Sequence, residues 1–217
     1  MLKMLFPKTI SLLSATFIMA FSAYAQVQSS RQVNLPLFSN YSYQGKDSHF
    51  EQQPLAENEF YAQVLQGCYP DPSITRKGND YYLVNSSFAM FPGVPIFHSH
   101  DLVNWKQIGH VLDRPSQLRV EHAGISEGIY APDIKYNPYN DTFYMLTTQI
   151  AGGIGNMLVK TKDPAKGWSE PIKLNFDGID PSIFFDDDGK AYVLHNDAPP
   201  KGTELYEGHR VIRIWEY

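Results

Sequence analysis

Pro70-Asp71-Pro72-Ser73-Ile74 is followed by the polar turn Lys77-Gly78-Asn79-Asp80 and the run Tyr81-Tyr82-Leu83-Val84, and the same phrase returns twice. Ala131-Pro132-Asp133-Ile134 passes through Asn137 to Asp141 into Phe143-Tyr144-Met145-Leu146. Asp180-Pro181-Ser182-Ile183 passes through Asp186 to Gly189 into Ala191-Tyr192-Val193-Leu194. Each copy reads as a strand, a tight polar turn and a second strand, because short β-branched and aromatic runs are bounded by Gly, Asn and Asp. The first two copies continue alike, with a third strand (Pro95 to His98; Met157 to Lys160), then an Asp-led turn and a Trp that opens a fourth (Asp101 and Trp105; Asp163 and Trp168). Four strands per unit, repeating at about 50 to 60 residues, describe the blades of a β-propeller. The alternative is a β-sandwich with accidental similarity, which three recurrences disfavour. Propellers close with about 4 to 8 blades, whereas this chain carries two full units and a third that stops in its third strand, Val211 to Tyr217. The expectation is therefore an all-β amino-terminal fragment, an open arc whose flanking sheet faces lack covers and favour association.

Outward from the repeats, the chain changes character. Residues 26–66 are polar and irregular, with a first strand-like run only at Phe60 to Leu65, and read as an N-terminal arm. Residues 1–25 read as an export signal: Lys3 and Lys8 give a basic start, Ile10 to Phe21 an apolar stretch, and Ala23-Tyr24-Ala25 a small-x-small cleavage site before Gln26. The apolar run is short and broken by Ser11, Ser14 and Thr16, which disfavours a membrane anchor needing about 20 apolar residues. The expected location is secreted or periplasmic, with no membrane contact after cleavage. Residues 67–217 are then the partial propeller domain.

Composition narrows the function. The 217-residue chain has 19% charged and 14% aromatic residues and a formal charge of −5, which becomes more negative when the basic leader is removed. That sign opposes a phosphate-tracking surface, so nucleic acid is not an expected partner. Cys68 is the only cysteine, so no intrachain disulfide forms. With no His or Lys near it in sequence, Cys68 reads as a buried small apolar residue rather than a nucleophile.

In a propeller the innermost strand of each blade lines a central channel, so Asp71, Asp133 and Asp180, all at or near the start of a first strand, are expected to converge on one pocket. Converging carboxylates suit sugar hydrolysis, in which one activates water, one protonates the leaving oxygen, and neighbours separate their pKa values. A single Asp before Pro or at a strand start is more commonly a turn residue that satisfies backbone amides. Two copies of Asp-Pro-Ser-Ile weaken that reading.

Gly67-Cys68-Tyr69-Pro70-Asp71-Pro72-Ser73-Ile74, residues 86–99 (SSFAMFPGVPIFHS), Asp101-Leu102-Val103-Asn104-Trp105, Gly128-Ile129-Tyr130-Ala131-Pro132, and Gly178 to Phe184 with Asp186-Asp187-Asp188-Gly189 together resemble glycoside hydrolase family 43. The resemblance runs from about Gly67 to the end and favours the β-xylosidase/α-L-arabinofuranosidase branch. It implies a five-bladed propeller, of which about two and three-quarter blades are present here, and inverting hydrolysis of terminal xylose or arabinose linkages in plant cell-wall oligosaccharides and polysaccharides. No cofactor is implied. It makes Asp71 the general base and Asp180 the carboxylate that orients the sugar and raises the pKa of the acid. Phe88 matches an aromatic lining the sugar pocket, and Tyr130 stands where many relatives have Trp; for both, a core role stays open. The family's general acid is a Glu in a Glu-Gly-Pro-His-like phrase about one blade beyond Asp180, which lies past Tyr217, so the chain by itself is expected to be inactive. The competing function is a non-catalytic propeller, either sugar-binding or an interaction platform.

Several other features read as structural. Glu207-Gly208-His209 imitates the acid's phrase in the wrong place and reads as a surface turn. Glu121 and Glu127 sit in a loop and read as solvated. His98 and His100 share one face of a strand; a metal pair is conceivable, but the resemblance gives His98 no catalytic duty and a structural role is expected, with no metal site assigned. Asp186-Asp187-Asp188-Gly189 lacks the spaced ligands and terminal Glu of an EF-hand and reads as a hairpin turn. Asn40, Asn85 and Asn140 head glycosylation sequons.

Overall fold

The computed structural model describes residues 56–59 and 64–217. The expected leader at 1–25, most of the 26–66 arm and the Asn40 sequon lie outside the described residues. So does most of the strand expected at Phe60 to Leu65, of which Val64 and Leu65 form a bend.

Three antiparallel sheets follow one another along the chain. The first holds β1 (Ser73–Lys77), β2 (Asp80–Val84), β3 (Gly93–Ser99) and β4 (Lys106–Leu112), in that order. The second holds β5 (Asp133–Asn137), β6 (Thr142–Gln149), β7 (Gly155–Thr161) and β8 (Ile172–Lys173). The third holds β9 (Ile179–Phe185), β10 (Ala191–Asp197) and β11 (Val211–Glu216). Each is a meander, as a propeller blade is, and the first strands β1, β5 and β9 lie side by side from blade to blade.

The middle blade shows why strict hydrophobic alternation is lost there. Along β6, Met145 points into the core shared with the first blade and Leu146 into the core shared with the third. On β7, Met157 and Val159 face one way and Leu158 the other. A sheet covered on both faces needs apolar residues at every position, and β6 accordingly reads TFYMLTTQ with little exposed. The larger core joins the first two blades through Val84, Ile96, Leu112, Ile134, Phe143 and Trp168.

The third blade has only one covered face. Ile183 and Val193 pack on the middle blade, while residues one register step away face outward: Phe184 is 53% exposed, Ile212 67% and Ile214 63%. The uncovered sheet face anticipated from the repeats is thus present as an apolar patch.

The Asp-led turn of the first blade is built by its acid. Asp101 Oδ1 accepts from the backbone N–H groups of Val103 and Asn104 at 2.9 and 2.7 Å, and Oδ2 accepts from Asn104 Nδ2 at 2.7 Å. These donors hold the Asp101 carboxyl well below the usual carboxylate range. Trp105 then leads directly into β4. In the second blade Trp168 is buried in the core, and the fourth strand begins only at Ile172 because Ser169-Glu170-Pro171 intervene and Pro171 has no N–H to give a ladder.

Candidate functional site

Register places the repeated acids. Ser73 pairs with Val84, Asp133 with Leu146 and Ser182 with Leu194, and these partners close the three repeated second-strand runs. Ser73, Asp133 and Ser182 are therefore equivalent, as are Asp71, Ala131 and Asp180. The expectation that all three acids converge on one pocket is corrected: Asp133 sits two residues further along its strand, at the position of Ser73 and Ser182, and its oxygens are taken up between the blades. Its Oδ1 accepts from Ser73 Oγ at 2.8 Å and Lys135 Nζ at 2.9 Å, and its Oδ2 accepts from the Ile183 backbone N–H at 3.0 Å. One carboxylate thus ties the first blade to the second and the second to the third.

Asp71 and Asp180 have a different setting. Both are exposed, Asp71 two residues before β1 and Asp180 at the second position of β9, and both have positive φ, +51° and +57°. That backbone region is uncommon outside glycine, though Asp tolerates it best. Phe88 also has a positive φ of +47°, which is a clear outlier for a bulky side chain. Strain of about 1–3 kcal/mol at each such residue persists only where surrounding structure imposes it. Here the imposing contacts are visible.

Ser86 N–H donates to Pro70 O at 3.0 Å, and buried Asn85 donates from Nδ2 to Tyr69 O and Pro70 O at 2.8 and 3.2 Å. The backbone just before Asp71 is pinned by the end of β2 as a result, and the Asn85 sequon amide is already committed. Ser86 Oγ then donates to Asp71 Oδ2 at 2.5 Å, orienting the carboxylate. On the other side, the Asp180 N–H donates to Thr148 Oγ1 at 3.1 Å, and Thr148 Oγ1 donates to Asn156 Oδ1 at 2.6 Å. Asn156 Nδ2 donates to Gly178 O at 3.1 Å, so the Gly178-Ile179-Asp180 turn is held from the middle blade. A Cβ on Gly178, whose φ is +91°, would lie 2.3 Å from Asn196 O; only glycine lets the turn approach β10 this closely.

Asp180 lies close enough to Asp71 to feel its charge. Partial burial raises the pKa of Asp180, the negative charge of Asp71 raises it further, and the Arg210 guanidinium opposes both. Arg210 is held by Asn196, to which it donates from Nε (Oδ1, 2.8 Å) and Nη2 (backbone O, 3.3 Å).

Phe88 and Tyr130 are brought together, with ring centroids 6.2 Å apart and planes nearly perpendicular. Phe88 N–H and O exchange hydrogen bonds with Ile129 at 3.0 Å, and the Tyr130 N–H donates to Thr148 O at 2.9 Å. Gly128 permits this, since a Cβ there would fall 2.4 Å from Phe88 O. Both rings are half-buried, neither sealed in the core nor free in solvent.

The remaining sequence expectations sort simply. Glu207 lies in an exposed turn and Glu121 is exposed; Glu127 is exposed and accepts from Gly124 N–H at 2.6 Å, closing its own loop. Asp186 to Gly189 form the β9–β10 hairpin, with Asp186 N–H donating to Lys190 O at 2.8 Å. Cys68, expected to be buried, is exposed. The apolar slot goes instead to its neighbour Tyr69, which packs edge-on against Phe97 at 5.2 Å. Sequence reasoning missed Ser86 and Arg210. Ser86 lay in a quoted phrase ahead of Phe88, and Arg210 directly follows the Glu-Gly-His set aside as a surface turn.

Residues 61–217 match the sequence profile of Glycosyl hydrolases family 43. A xylosidase/arabinosidase of Butyrivibrio fibrisolvens is 53% identical over 156 residues, which cover 70% of this chain and 29% of that protein. A non-reducing end alpha-L-arabinofuranosidase of Bacteroides ovatus is 44% identical over 146 residues, covering 66% and 27%. Among solved structures, that of a GH43_12 protein retrieved from capybara gut metagenome superimposes with a TM-score of 0.75 at 67% identity, covering 80% of this chain and 32% of that one. The chain thus spans under a third of the length of these relatives.

Proposed function

Because the chain belongs to glycosyl hydrolase family 43, with its five-bladed propeller fold, we propose that it carries the base side of an inverting glycosidase that removes terminal xylose or arabinose from plant cell-wall oligosaccharides and polysaccharides. The observation that carries this reading is the electrostatic pairing of Asp71 and Asp180 on two strained, independently braced turns at the same register of β1 and β9. Similarity to proteins named xylosidase/arabinosidase and arabinofuranosidase supports the sugar class.

In this mechanism Asp71, oriented by the Ser86 hydroxyl, accepts a proton from a water whose oxygen forms the new bond to the anomeric carbon. The bond to the leaving oxygen breaks with its electron pair, and that oxygen takes a proton from the acid, the Glu that the family pattern places beyond Tyr217. Asp180 accepts sugar hydroxyls, and its negative charge discourages ionisation of the acid. Phe88 and Tyr130 form the aromatic wall against which the sugar lies. Export through the 1–25 leader delivers the protein to its polymeric substrate, and N-terminal sequencing of the mature protein should begin at Gln26.

The stereochemical course tests the reading. An inverting pair stands about 6.5–9.5 Å apart to admit the attacking water, against about 5–5.5 Å for a retaining pair. Proton NMR of the first sugar released by the full-length protein should show inverted anomeric configuration; net retention would refute the assignment.

A further inference from the structure

Away from the channel, the start of β2 and the end of β3 bring together three side chains that the proposed hydrolysis does not use. Tyr81 pairs with Ser99 and Tyr82 with His98, so Asp80 stands opposite His100, and His98 lies diagonally across on the same face. His98 Nε2 is 2.6 Å from Asp80 Oδ1, and His100 Nδ1 is 3.4 Å from the same oxygen. The two imidazole rings meet edge-on with centroids 4.6 Å apart. One donor atom from each residue falls within 4.8 Å of the other two.

We propose that Asp80, His98 and His100 form a site for a divalent transition-metal ion of the zinc class. Two imidazole nitrogens and one carboxylate oxygen are the donor set that zinc accepts, and three protein ligands leave a fourth position for water. A tetrahedral ion with bonds of about 2.0–2.2 Å needs its donors about 3.3 Å apart. The observed 2.6 and 3.4 Å separations from Asp80 bracket that value, and all three donors already lie within 4.8 Å of one another. The ion takes the place of the proton shared between His98 Nε2 and Asp80 Oδ1, and that proton leaves to solvent on binding.

The surroundings favour the same assignment. Tyr82 packs on the His98 ring at 5.2 Å and fixes its direction, while the His100 side chain is 70% exposed and its Nδ1 has, besides Asp80, the Asn79 backbone O at 3.4 Å, a contact it gives up on turning to the ion. Lys106 stands opposite His98 on β4 but is exposed, and its long stem keeps the ammonium in solvent. Calcium and magnesium prefer oxygen donors, so two imidazoles select against them. The bound ion would clamp the start of β2 to the end of β3. This extends the purely structural role expected for His98 from sequence, and it stands apart from the proposed glycosidase reaction.

The test is a competition titration of the tag-free full-length protein with Zn²⁺ against a chromophoric chelator, alongside the His100→Ala variant. His100 is exposed, so its removal leaves the fold intact. We expect wild type to bind one equivalent of Zn²⁺ that His100→Ala weakens by at least about tenfold, the scale on which even outer-shell partners act. A tenfold excess of Mg²⁺ should not compete. X-ray absorption of the Zn²⁺ complex should show two imidazoles in the first shell. Absence of stoichiometric Zn²⁺ binding, equal binding by wild type and His100→Ala, or displacement by Mg²⁺ would each overturn the proposal.

Discussion

Asp71 and Asp133 belong to the same repeated phrase, yet the fold uses them in opposite ways. Asp71 lies two residues before β1 and Asp180 at the start of β9; both have a positive φ and reach solvent, and the charge of Asp71 raises the pKa of Asp180. Asp133 sits two positions later, inside the ladder, where Ser73 Oγ, Lys135 Nζ and Ile183 N–H donate to its oxygens across three blades. An accessible carboxylate beside a second one is what the proposed reaction uses, and a carboxylate with three donors is a clip; backbone strain alone does not separate the two, because exposed Asp141 in the β5–β6 turn also has a φ of +51°. The distinction comes from register rather than from residue type.

The largest effect that would break this comparison is on turnover. In the full-length protein, Asp71→Asn keeps the shape of the side chain but cannot take a proton from water, so kcat should fall about 10²- to 10⁴-fold with product affinity and melting temperature little changed. Wild-type turnover in that variant would remove Asp71 from the mechanism. Asp133→Ala should do the reverse. Losing charge-assisted hydrogen bonds to both neighbouring blades costs about 2–4 kcal/mol of stability, visible in denaturant unfolding, while kcat per folded molecule stays within a few-fold of wild type.

A smaller effect concerns β10 where it meets the Asp180 turn: a Cβ on Gly178 would also lie 2.9 Å from His195 Nδ1. His195 is 2% exposed, accepts from Trp215 Nε1 at 2.7 Å and stacks on Phe176 at 4.2 Å. Burial lowers its pKa, the nearby Arg213 charge adds to the shift, and Asp197 opposes it. Its folded pKa lies below the unfolded value of about 6.5, so the stability it contributes is present above that pH and is lost as pH falls. Unfolding measured from pH 7 to 5 should therefore show an acid-side slope of at most about 1.4 kcal/mol per pH unit from this group, flattened in His195→Gln. An identical slope in the variant would place the acid sensitivity elsewhere.

The smallest effect is a gain. The raised pKa of Asp180 means that its charged form is disfavoured in the fold, so stability is lost as pH rises through that pKa. Asp180→Asn should consequently be slightly more stable at neutral pH, by less than about 1 kcal/mol because solvent on its open side screens the charge. The same variant should be severely impaired in hydrolysis. A melting temperature below wild type would show that the carboxylate is structural.

Much of this architecture was legible in the sequence, because strand-turn-strand phrases and Asp-led turns are local. Asp101 and its donors lie within five residues, and the β9–β10 hairpin is closed by its own Asp186. The equivalent placement of Asp71 and Asp180 was legible for a different reason, the duplicated Asp-Pro-Ser-Ile. What escaped was whatever depends on contacts between blades. The Asp133 clip joins residues 60 and 50 positions apart, and no spacing rule distinguishes it from an acid at a channel. Ser86 reaches Asp71 only once β2 has folded back along β1, and Arg210 reaches Asp180 only through Asn196 on the adjacent strand. Cys68 escaped as well: the chain turns Tyr69 onto Phe97 and leaves Cys68 exposed, which residue-type preference for buried cysteine does not anticipate.

The most direct test of the division between reactive and structural acids is azide rescue with an activated aryl xyloside in the full-length protein. Azide is already anionic and needs no base, so it can attack the anomeric carbon in the space left by truncating the residue that activates water. The account predicts that Asp71→Ala is nearly inactive in buffer, regains an azide-dependent rate, and yields a glycosyl azide of inverted configuration, whereas Asp133→Ala shows no azide dependence. Azide dependence in Asp133→Ala with none in Asp71→Ala would contradict it.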